Sequence, residues 1–197
     1  MKLDFLLLED SRRRDVIRTI VRDIITTYKS EEDGEFYLPN YIDDEKDFYE
    51  FPGMEQLVVE LVIEEADQIE KFNVDANFYR EDGIIQVIIE YNPENKEKLI
   101  YDLIGELNEI VAHEIRHVDQ KSKGMFDLDI PKEEDSYKYY TQPHELDAQR
   151  FGFKRLAKLT KTPLEAVVKR WFKTHKQVHN LNPQEEQDVI SKILNSN

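Results

Sequence analysis

Apolar residues recur along the first third of the chain with two different periods. Within residues 11–28 they return every three or four positions, which predicts a helix that starts near Ser11 and has its apolar face at Val16, Ile17, Ile20, Val21 and Ile24. The three arginines at 12–14 are interpreted as surface charge. Residues 56–65 instead alternate apolar and polar side chains. A helical spacing also fits this run, but its β-branched residues favour a strand.

Two further segments complete the predicted sheet. Residues 31–50 are acidic and aromatic, and we expect a solvated loop there with a short edge strand formed by Phe36, Tyr37, Leu38 and Tyr41. Further along, two strand-like runs, 71–80 and 84–91, flank the tripeptide Glu81-Asp82-Gly83. Because glycine tolerates a positive φ in a tight turn, these runs predict a β-hairpin.

A long amphipathic helix is predicted over residues 96–121, after Asn92-Pro93 and before Gly124, which suits a helix end. Its apolar positions form one stripe: Leu99, Leu103, Leu107, Ile110, Val111 and Val118. A neighbouring stripe is polar: Glu106, Glu109, His113, His117 and Gln120. A helix with a full apolar stripe packs against a core, so its polar stripe faces a cleft or solvent.

The last third of the chain is predicted to be helical. Residues 126–142 form a polar, tyrosine-rich connection, after which Pro143 opens a helix over 143–159. Two more helices are predicted over 164–174 and 183–194. Together these patterns indicate an α+β fold with an N-terminal helix, a small and mostly antiparallel sheet with a hairpin, a long central helix and a C-terminal helical part.

Composition narrows the classes of function. The 197 residues include no cysteine, which excludes disulfides, cysteine-bound zinc and thiol catalysis. The net charge is −15 at pH 7, and the Lys and Arg residues outnumber the acidic ones only from Arg150 onward. An acidic body argues against nucleic acid as a partner. No run is apolar enough for a membrane span or an export signal, so we expect a cytoplasmic protein that does not bind membranes.

The residues that carry chemistry lie in the long helix, at His113-Glu114-Ile115-Arg116-His117. Side chains four residues apart share one face of a helix, so His113 and His117 can reach a single ion. This H-E-x-x-H pattern is typical of zinc hydrolases, in which zinc lowers the pKa of a bound water to about 7. Glu114 lies about 100° further round the helix. It is therefore expected to serve as the general base instead of binding the metal.

A catalytic zinc site needs a third protein ligand, since zinc prefers four ligands and leaves one position for water. The metzincin continuation requires Gly at position 120 and His at position 123, but the chain has Gln120 and Lys123, so that class is excluded. The remaining ligand types are carboxylates and imidazoles downstream of the long helix. The candidates are Glu133, Glu134, His144, Glu145 and Asp147.

The segment Glu145-x-x-Ala148, on its own helix after the H-E-x-x-H pattern, resembles the gluzincin zinc peptidases and most of all the small single-domain ones. The similarity covers roughly residues 84–155. In that family the glutamate is the third zinc ligand and the small alanine lets the two helices approach closely. The resemblance therefore implies a Zn²⁺ site formed by His113, His117 and Glu145. Gln149 departs from the family, which often has Asp or Asn there, so no residue is assigned to orient a zinc-bound imidazole.

A hydrogen-bond donor for the oxyanion is expected besides the metal. The candidates stand just before or at the start of the Glu145 helix: Tyr137, Tyr139, Tyr140 and His144. Tyrosines in a connection also serve as packing residues, so no single donor is assigned.

Other polar residues near these motifs are interpreted as structural. Asp147 is expected to be solvated or paired with Arg150, because it lies on a different face of the helix from Glu145. Arg116 is expected to point away from the metal toward a surface ion pair. His175 and His179 repeat the four-residue spacing without a neighbouring ligand, and we interpret them as a surface pair.

These observations predict a zinc-dependent peptidase that acts on a peptide or protein substrate, with Glu114 as the general base. Two alternatives stay open, namely a catalytically inactive zincin-fold binding or assembly module and a zinc hydrolase of a non-peptide amide. The expected organisation is a zincin-like metallopeptidase domain over residues 1–160 and a C-terminal helical extension over residues 161–197, packed on the same domain. The oligomeric state is left open.

Overall fold

The computed structural model of the chain describes residues 2–39, 48–51, 54–125, 130–132 and 134–196, and the side chains of residues 2–10 and 55 are not described. The described residues form an α+β fold with a mixed sheet and long helices. Predictions that concern Tyr41, Glu133 and residues 126–129 lie outside the described residues.

The strands in the described part of the chain are β1 (Gly34–Leu38), β2 (Tyr49–Phe51), β3 (Met54–Glu65), β4 (Phe72–Tyr79) and β5 (Ile84–Tyr91). They form one sheet in the order β1-β3-β5-β4, and β2 also pairs with β3. The pairings of β1 and β2 with β3, and of β4 with β5, are antiparallel. The central pairing of β3 with β5 is parallel, so the sheet is mixed, while the other three described pairings are antiparallel as expected.

The predicted strands at 56–65, 71–80 and 84–91 are confirmed, and so is the hairpin between the last two. Gly83 adopts the expected positive φ of 72°, and a Cβ at this position would lie 2.9 Å from the carbonyl oxygen of Gln56. The hairpin places β5 between β3 and β4. Among the described residues, β4 is therefore an edge strand with no strand on its outer side.

Buried apolar side chains alternate with more exposed ones along the strands, which gives the sheet one buried face. The buried positions of β3 and β5 are Leu57, Val59, Leu61, Ile63, Ile85, Val87, Ile89 and Tyr91. Between them, polar side chains on the other face bond across the strands, as between Gln86 Nε2 and Glu60 Oε2 at 2.7 Å. The buried face must be covered by helices, because it is apolar throughout.

Helices α1 (Lys2–Ser30) and α2 (Ile100–Ser122) cover this face and share its hydrophobic core. The predicted start of α1 near Ser11 is wrong, because residues 2–10 contain no Gly or Pro and a formed helix propagates through such residues at little cost. The end of α2 is as predicted: Gly124 has φ 64°, and the amide of Met125 donates to the carbonyl of Gln120 at 3.0 Å. No helix of the described residues, α1 included, is apolar over a stretch long enough to cross a membrane.

One of the arginines in α1 is not on the surface. Arg13 is 8% exposed, and its Nη2 donates to Asp119 Oδ1 of α2 at 2.6 Å. The interpretation of residues 12–14 as surface charge is therefore wrong for Arg13, whose partner lies 106 positions away in sequence.

The remaining helices are α3 (Ser136–Thr141), α4 (Pro143–Thr160), α5 (Leu164–Thr174), α6 (Lys176–His179) and α7 (Pro183–Asn195). The three longer ones were predicted within two residues at each end. Helix α3 was predicted as a connection, because six residues are too few to show a helical period. It is started by Asp135, whose side chain accepts from the amide of Lys138 at 2.9 Å.

A second hydrophobic core joins these helices, with Tyr140, Phe153, Leu156, Val167, Val168, Phe172, Val189 and Ile193 buried together. Its members lie on both sides of residue 160, so the last helices pack directly on α4. The division of the chain into residues 1–160 and 161–197 stays a prediction.

Helix α4 approaches α2 closely enough to exclude side chains between the two backbones. Ala148 is fully buried, and a Cβ added to Gly152 would lie 2.7 Å from the carbonyl oxygen of Glu109. Gly105, on the α2 side, is different, because a Cβ there would meet only Leu156 Cδ1 at 3.8 Å. The close approach is therefore made at Ala148 and Gly152 of α4.

We expect the substitution Gly152→Ala to lower the free energy of unfolding by about 1–2 kcal/mol, because overpacking outweighs the higher helix propensity of alanine. The matched change Gly105→Ala should raise it by about 0.5–1 kcal/mol, since its methyl group meets ordinary van der Waals contact. Urea denaturation of both variants measures the difference. Equal effects of the two alanines would show that the α2–α4 contact is looser than described.

Candidate metal centre

The two histidines of the H-E-x-x-H pattern point at a common position from α2. The Nε2 atoms of His113 and His117 are 2.9 Å apart. Two nitrogens that bind one tetrahedral zinc at 2.0–2.1 Å are separated by roughly 3.3 Å, so a small movement of the rings accommodates an ion.

Helix α4 brings Glu145 to the same position. Its Oε1 lies 3.3 Å from His117 Nε2 and its Oε2 lies 3.5 Å from His113 Nε2. Glu145 is only 3% exposed, and in the described part of the chain its Oε2 has no hydrogen-bond partner. A buried carboxylate oxygen without a donor is costly unless a cation lies beside it. The cluster of His113, His117 and Glu145 could therefore hold a metal ion.

The hydrogen bond to Gln120, one turn further along α2, determines the tautomer of His117. The amide nitrogen of Gln120 donates to the carbonyl of His144 and to Asp147 Oδ2, both at 2.9 Å. Its Oε1 must then accept from Nδ1–H of His117 at 2.8 Å. The proton on Nδ1 leaves a lone pair on Nε2, the form of imidazole that binds a metal.

A network of charged residues holds α2 and α4 in register around this amide. Arg116 donates to Asp147 at 2.7 Å and to Asp119 at 2.5 Å. Asp119 also accepts from Arg13, so the network continues into α1. Arg116 forms ion pairs as expected, but they are partly buried and bridge the two helices, so the expected surface position is wrong. Asp147 is paired with Arg116, and not with Arg150, which donates to the backbone carbonyls of Ile193 and Leu194.

Glu114 lies beside the cluster and not within it. Its Oε1 is 3.9 Å from His113 Nε2, and the residue is 5% exposed. Burial raises the pKa of Glu114; the two imidazoles lower it, and Glu145 and Asp75 raise it again. A carboxylate with a raised pKa in this position suits a general base that works near neutral pH.

Two of the candidate ligand residues, His113 and Glu145, have strongly perturbed pKa values. Burial would lower the pKa of His113, but Glu145, Glu114 and Glu109 raise it to about 9. Burial would raise the pKa of Glu145, but the two histidines hold it well below its usual range. The buried carboxylates thus draw positive charge to the centre, which fits the binding of a divalent cation.

Two of the four candidate oxyanion donors lie on the wall of the same cavity. Tyr139 and Tyr140 both line it, and burial followed by the charge of Glu145 raises the pKa of each phenol. His144 is buried beside Glu145, with its Nε2 3.6 Å from Oε1, and is not among the residues that line the cavity. Tyr137 is not among the lining residues either, and its hydroxyl donates to Asp188 Oδ2 at 2.7 Å. A donor role for any of these residues stays a prediction.

The remaining alternatives for a third ligand are placed elsewhere. Glu134 is exposed, and Asp147 is engaged by Arg116.

The interpretation of His179 as a surface residue is wrong: it is fully buried and its Nε2 bonds to the carbonyl of Phe172 at 2.9 Å. His175 stacks on Trp171, with ring centroids 4.7 Å apart.

The cluster opens into a cavity of about 480 Å³ between α2, α4 and the edge strand β4. Strand β4 contributes Val74, Asp75, Ala76, Asn77 and Phe78 to the wall.

Sequence reasoning missed the roles of Gln120 and Arg116. The position of Gln120 one turn after His117 signals the first of these, whereas the bond between Arg116 and Asp147 depends on how α4 crosses α2.

Comparison with known proteins found no match for this chain among family models, curated proteins or solved structures. What the site can do is therefore argued from its own residues. These are two imidazoles and a carboxylate at one position, a second carboxylate beside them, and an open cavity.

We expect the full chain to bind one zinc ion and the variant Glu145→Ala to bind it more than about 100-fold more weakly, because one of three ligands is lost. Competition with a chromogenic chelator measures the affinity. The control is Glu134→Ala, which removes an exposed glutamate and should leave zinc affinity unchanged. Full zinc occupancy in Glu145→Ala would refute the assignment of this ligand.

The variant Gln120→Met should weaken zinc binding by about 10–100-fold, because the hydrogen bond that orients His117 is lost. In the metal-free protein, nitrogen-15 NMR should also show that His117 no longer holds its proton on Nδ1. A matched change at an exposed glutamine, Gln187→Met, should alter neither property. An unchanged His117 tautomer in Gln120→Met would mean that another group orients this ring.

Proposed function

We propose that this chain is a zinc-dependent peptidase with a zincin-like fold and a site of the gluzincin type. The observation that carries the proposal is the convergence of His113, His117 and Glu145 with Glu114 directly beside them. Three protein ligands suit a catalytic zinc better than a structural one, which is closed by four. The resemblance of Glu145-x-x-Ala148 to the gluzincin pattern supports the same ligand set.

His113, His117 and Glu145 would hold the ion, and zinc supplies a Lewis acid and activated water when bound. Glu114 takes a proton from the attacking water on its carboxylate and passes it to the nitrogen of the leaving amine. Burial, with the charges of Glu145 and Asp75, raises its pKa above the ordinary value, which makes its carboxylate a stronger base than that of a solvated glutamate. The reaction is the hydrolysis of an amide bond.

Of the two tyrosines that line the cavity, Tyr139 is the donor that we favour for the oxyanion. Its raised pKa keeps the phenol protonated at any pH at which the enzyme would work. A neutral hydroxyl can donate a hydrogen bond to the oxygen on which negative charge develops. Tyr140 has a more structural environment, since its ring packs on Phe172 in the second core.

A peptide substrate is favoured over a small amide by the edge strand β4. Its residues 74–78 form one wall of the cavity, and in the described residues no other strand pairs with its outer side. Such an edge can bind an extended peptide through backbone hydrogen bonds. The same pairing would carry the peptide past Glu114 and the metal ligands.

We expect Glu114→Gln to keep zinc and to lose hydrolysis by about 10²–10⁴-fold, because the amide cannot accept the proton. A digest of a peptide library, read by mass spectrometry, measures the activity, and a chelator followed by zinc re-addition identifies metal-dependent cleavage. The control Glu97→Gln changes an exposed glutamate and should retain full activity.

Retained turnover in Glu114→Gln would refute the mechanism. Zinc-dependent hydrolysis of simple N-acyl amides without any peptide cleavage would instead favour the non-peptide hydrolase. Absence of both, in a chain that binds zinc, would favour the inactive binding module.

A further inference from the structure

The cavity continues along α2 toward its N-terminal end, beyond the groups used in the proposed reaction. This part is lined by Glu106 and Glu109 of α2, Gln149 of α4, Trp171 of α5 and His175, the residue after α5. We call these five residues the acidic recess. The two glutamates belong to the polar stripe of α2 that also carries the metal-ligand histidines.

The recess lies at a defined distance from the metal cluster, because both are on one helix. Four residues separate Glu109 from His113, which is about 6 Å along the helix axis, and seven residues separate Glu106 from His113, which is about 10 Å. A long side chain next to the cleaved bond, or a chain end close to it, can span this distance.

The negative charge of Glu109 in the recess is poorly compensated. Among the described residues, Glu109 has no ion-pair or hydrogen-bond partner for its carboxylate, whose Oε1 lies against Gly152 of α4. Burial raises the pKa of Glu109 to about 7, against the effect of His113. Glu106 has His175 Nε2 at 4.0 Å, and the charges of Lys71 and Arg170 act on it as well.

Gln149 provides independent evidence that the recess binds a ligand. It is 5% exposed, and both its Oε1 and its Nε2 are buried without a hydrogen-bond partner in the described part of the chain. Buried amides normally have partners, because an unsatisfied donor and acceptor cost free energy. A ligand in the cavity that carries an N–H group would satisfy at least the oxygen.

Aromatic residues complete the wall. Trp171 stacks on His175 with an interplanar angle of 12°, and its ring centroid is 5.7 Å from that of Phe153. Carboxylates, an amide oxygen and an indole together suit an organic cation. They do not suit a second metal, since in the described residues the only cluster with metal-ligand geometry is His113, His117 and Glu145.

We propose that the acidic recess binds a cationic group of the substrate, an ammonium or guanidinium, close to the bond that is cleaved. This inference rests on the proposed peptidase function. The cation comes from a lysine or arginine side chain or from the amino terminus of the peptide. Glu109 is the principal acceptor, and Glu106 and Gln149 Oε1 bind the remaining N–H groups.

The test uses binding and not turnover. Trp171 is the only tryptophan in the chain, so its fluorescence reports occupancy of the recess directly. The full-length, zinc-loaded Glu114→Gln variant is titrated with capped tetrapeptides of alanine that carry one lysine at each position in turn. Each is compared with the same peptide carrying norleucine, and one further norleucine peptide keeps its free amino terminus.

We expect at least one lysine position to bind about tenfold more tightly than its norleucine counterpart, as a single well-placed ion pair provides. Adding Glu109→Gln should abolish this difference, and adding Asp102→Asn, at an exposed position of the same helix, should retain it. Gln149→Met should reduce the difference while making the unliganded protein more stable, because it removes an unsatisfied amide. Preferential binding of the uncapped norleucine peptide would also support the recess and would identify the chain terminus as the cation.

The inference would be overturned if the capped lysine and norleucine peptides bound with equal affinity at every position and the uncapped peptide bound no more tightly than its capped counterpart. Equal losses in Glu109→Gln and Asp102→Asn would overturn it too. The binding test needs no cleavage, so the two proposals can fail separately. A cation preference in a chain without peptidase activity would refute the proposed function and still support cation binding by the recess. Zinc-dependent cleavage without any cation preference would support the proposed function and refute cation binding by the recess.

Discussion

The close contact between α2 and α4 is the constraint on which the candidate site depends. Two histidines on α2 can converge on one ion without help, but a carboxylate on another helix reaches the same ion only if the two backbones nearly touch. Gly152 allows this approach, since a Cβ there would lie 2.7 Å from the carbonyl oxygen of Glu109, and the fully buried Ala148 lies one turn before it. One turn earlier again is Glu145. The small residues and the metal ligand therefore follow each other at helical spacing along one face of α4.

Polar bonds determine the register of the two helices along this contact. Arg116 and Gln120 of α2 both bond to Asp147 of α4, and Gln120 also bonds to the backbone of His144. Small residues allow two helices to approach at several registers, whereas these directional bonds are satisfied at only one. The same amide determines the tautomer of His117. The completely buried Gln120 thus contributes both to helix register and to the tautomer of a candidate metal ligand.

Local patterns were sufficient to predict the hairpin, the long helix and the residues of α4, because each depends on spacing within a few turns or strands. The H-E-x-x-H pattern and Glu145 could be proposed for the same reason. Pairings between distant segments were not predictable. The parallel contact of β3 with β5 depends on which side of β3 the hairpin docks, and the bond from Arg13 to Asp119 depends on how α1 crosses α2. His179 illustrates the same limit, because its burial is decided by the packing of α5 and α7 and not by its own neighbours.

Under the proposed function and cation site, helix α2 determines which peptides the site selects. The metal cluster and the acidic recess are carried by one continuous helix, whose apolar face is buried in the main core. A regular helix has a constant rise per residue, so the distance from the metal to Glu109 cannot adapt to the substrate. Selection then depends on whether a peptide paired with β4 places its cation at that fixed distance from the scissile bond. Gly152 would serve both proposed functions at once, since the same close approach that brings Glu145 to the histidines also packs α4 against the Glu109 carboxylate. A substitution that separates the helices would therefore weaken metal binding and cation recognition together.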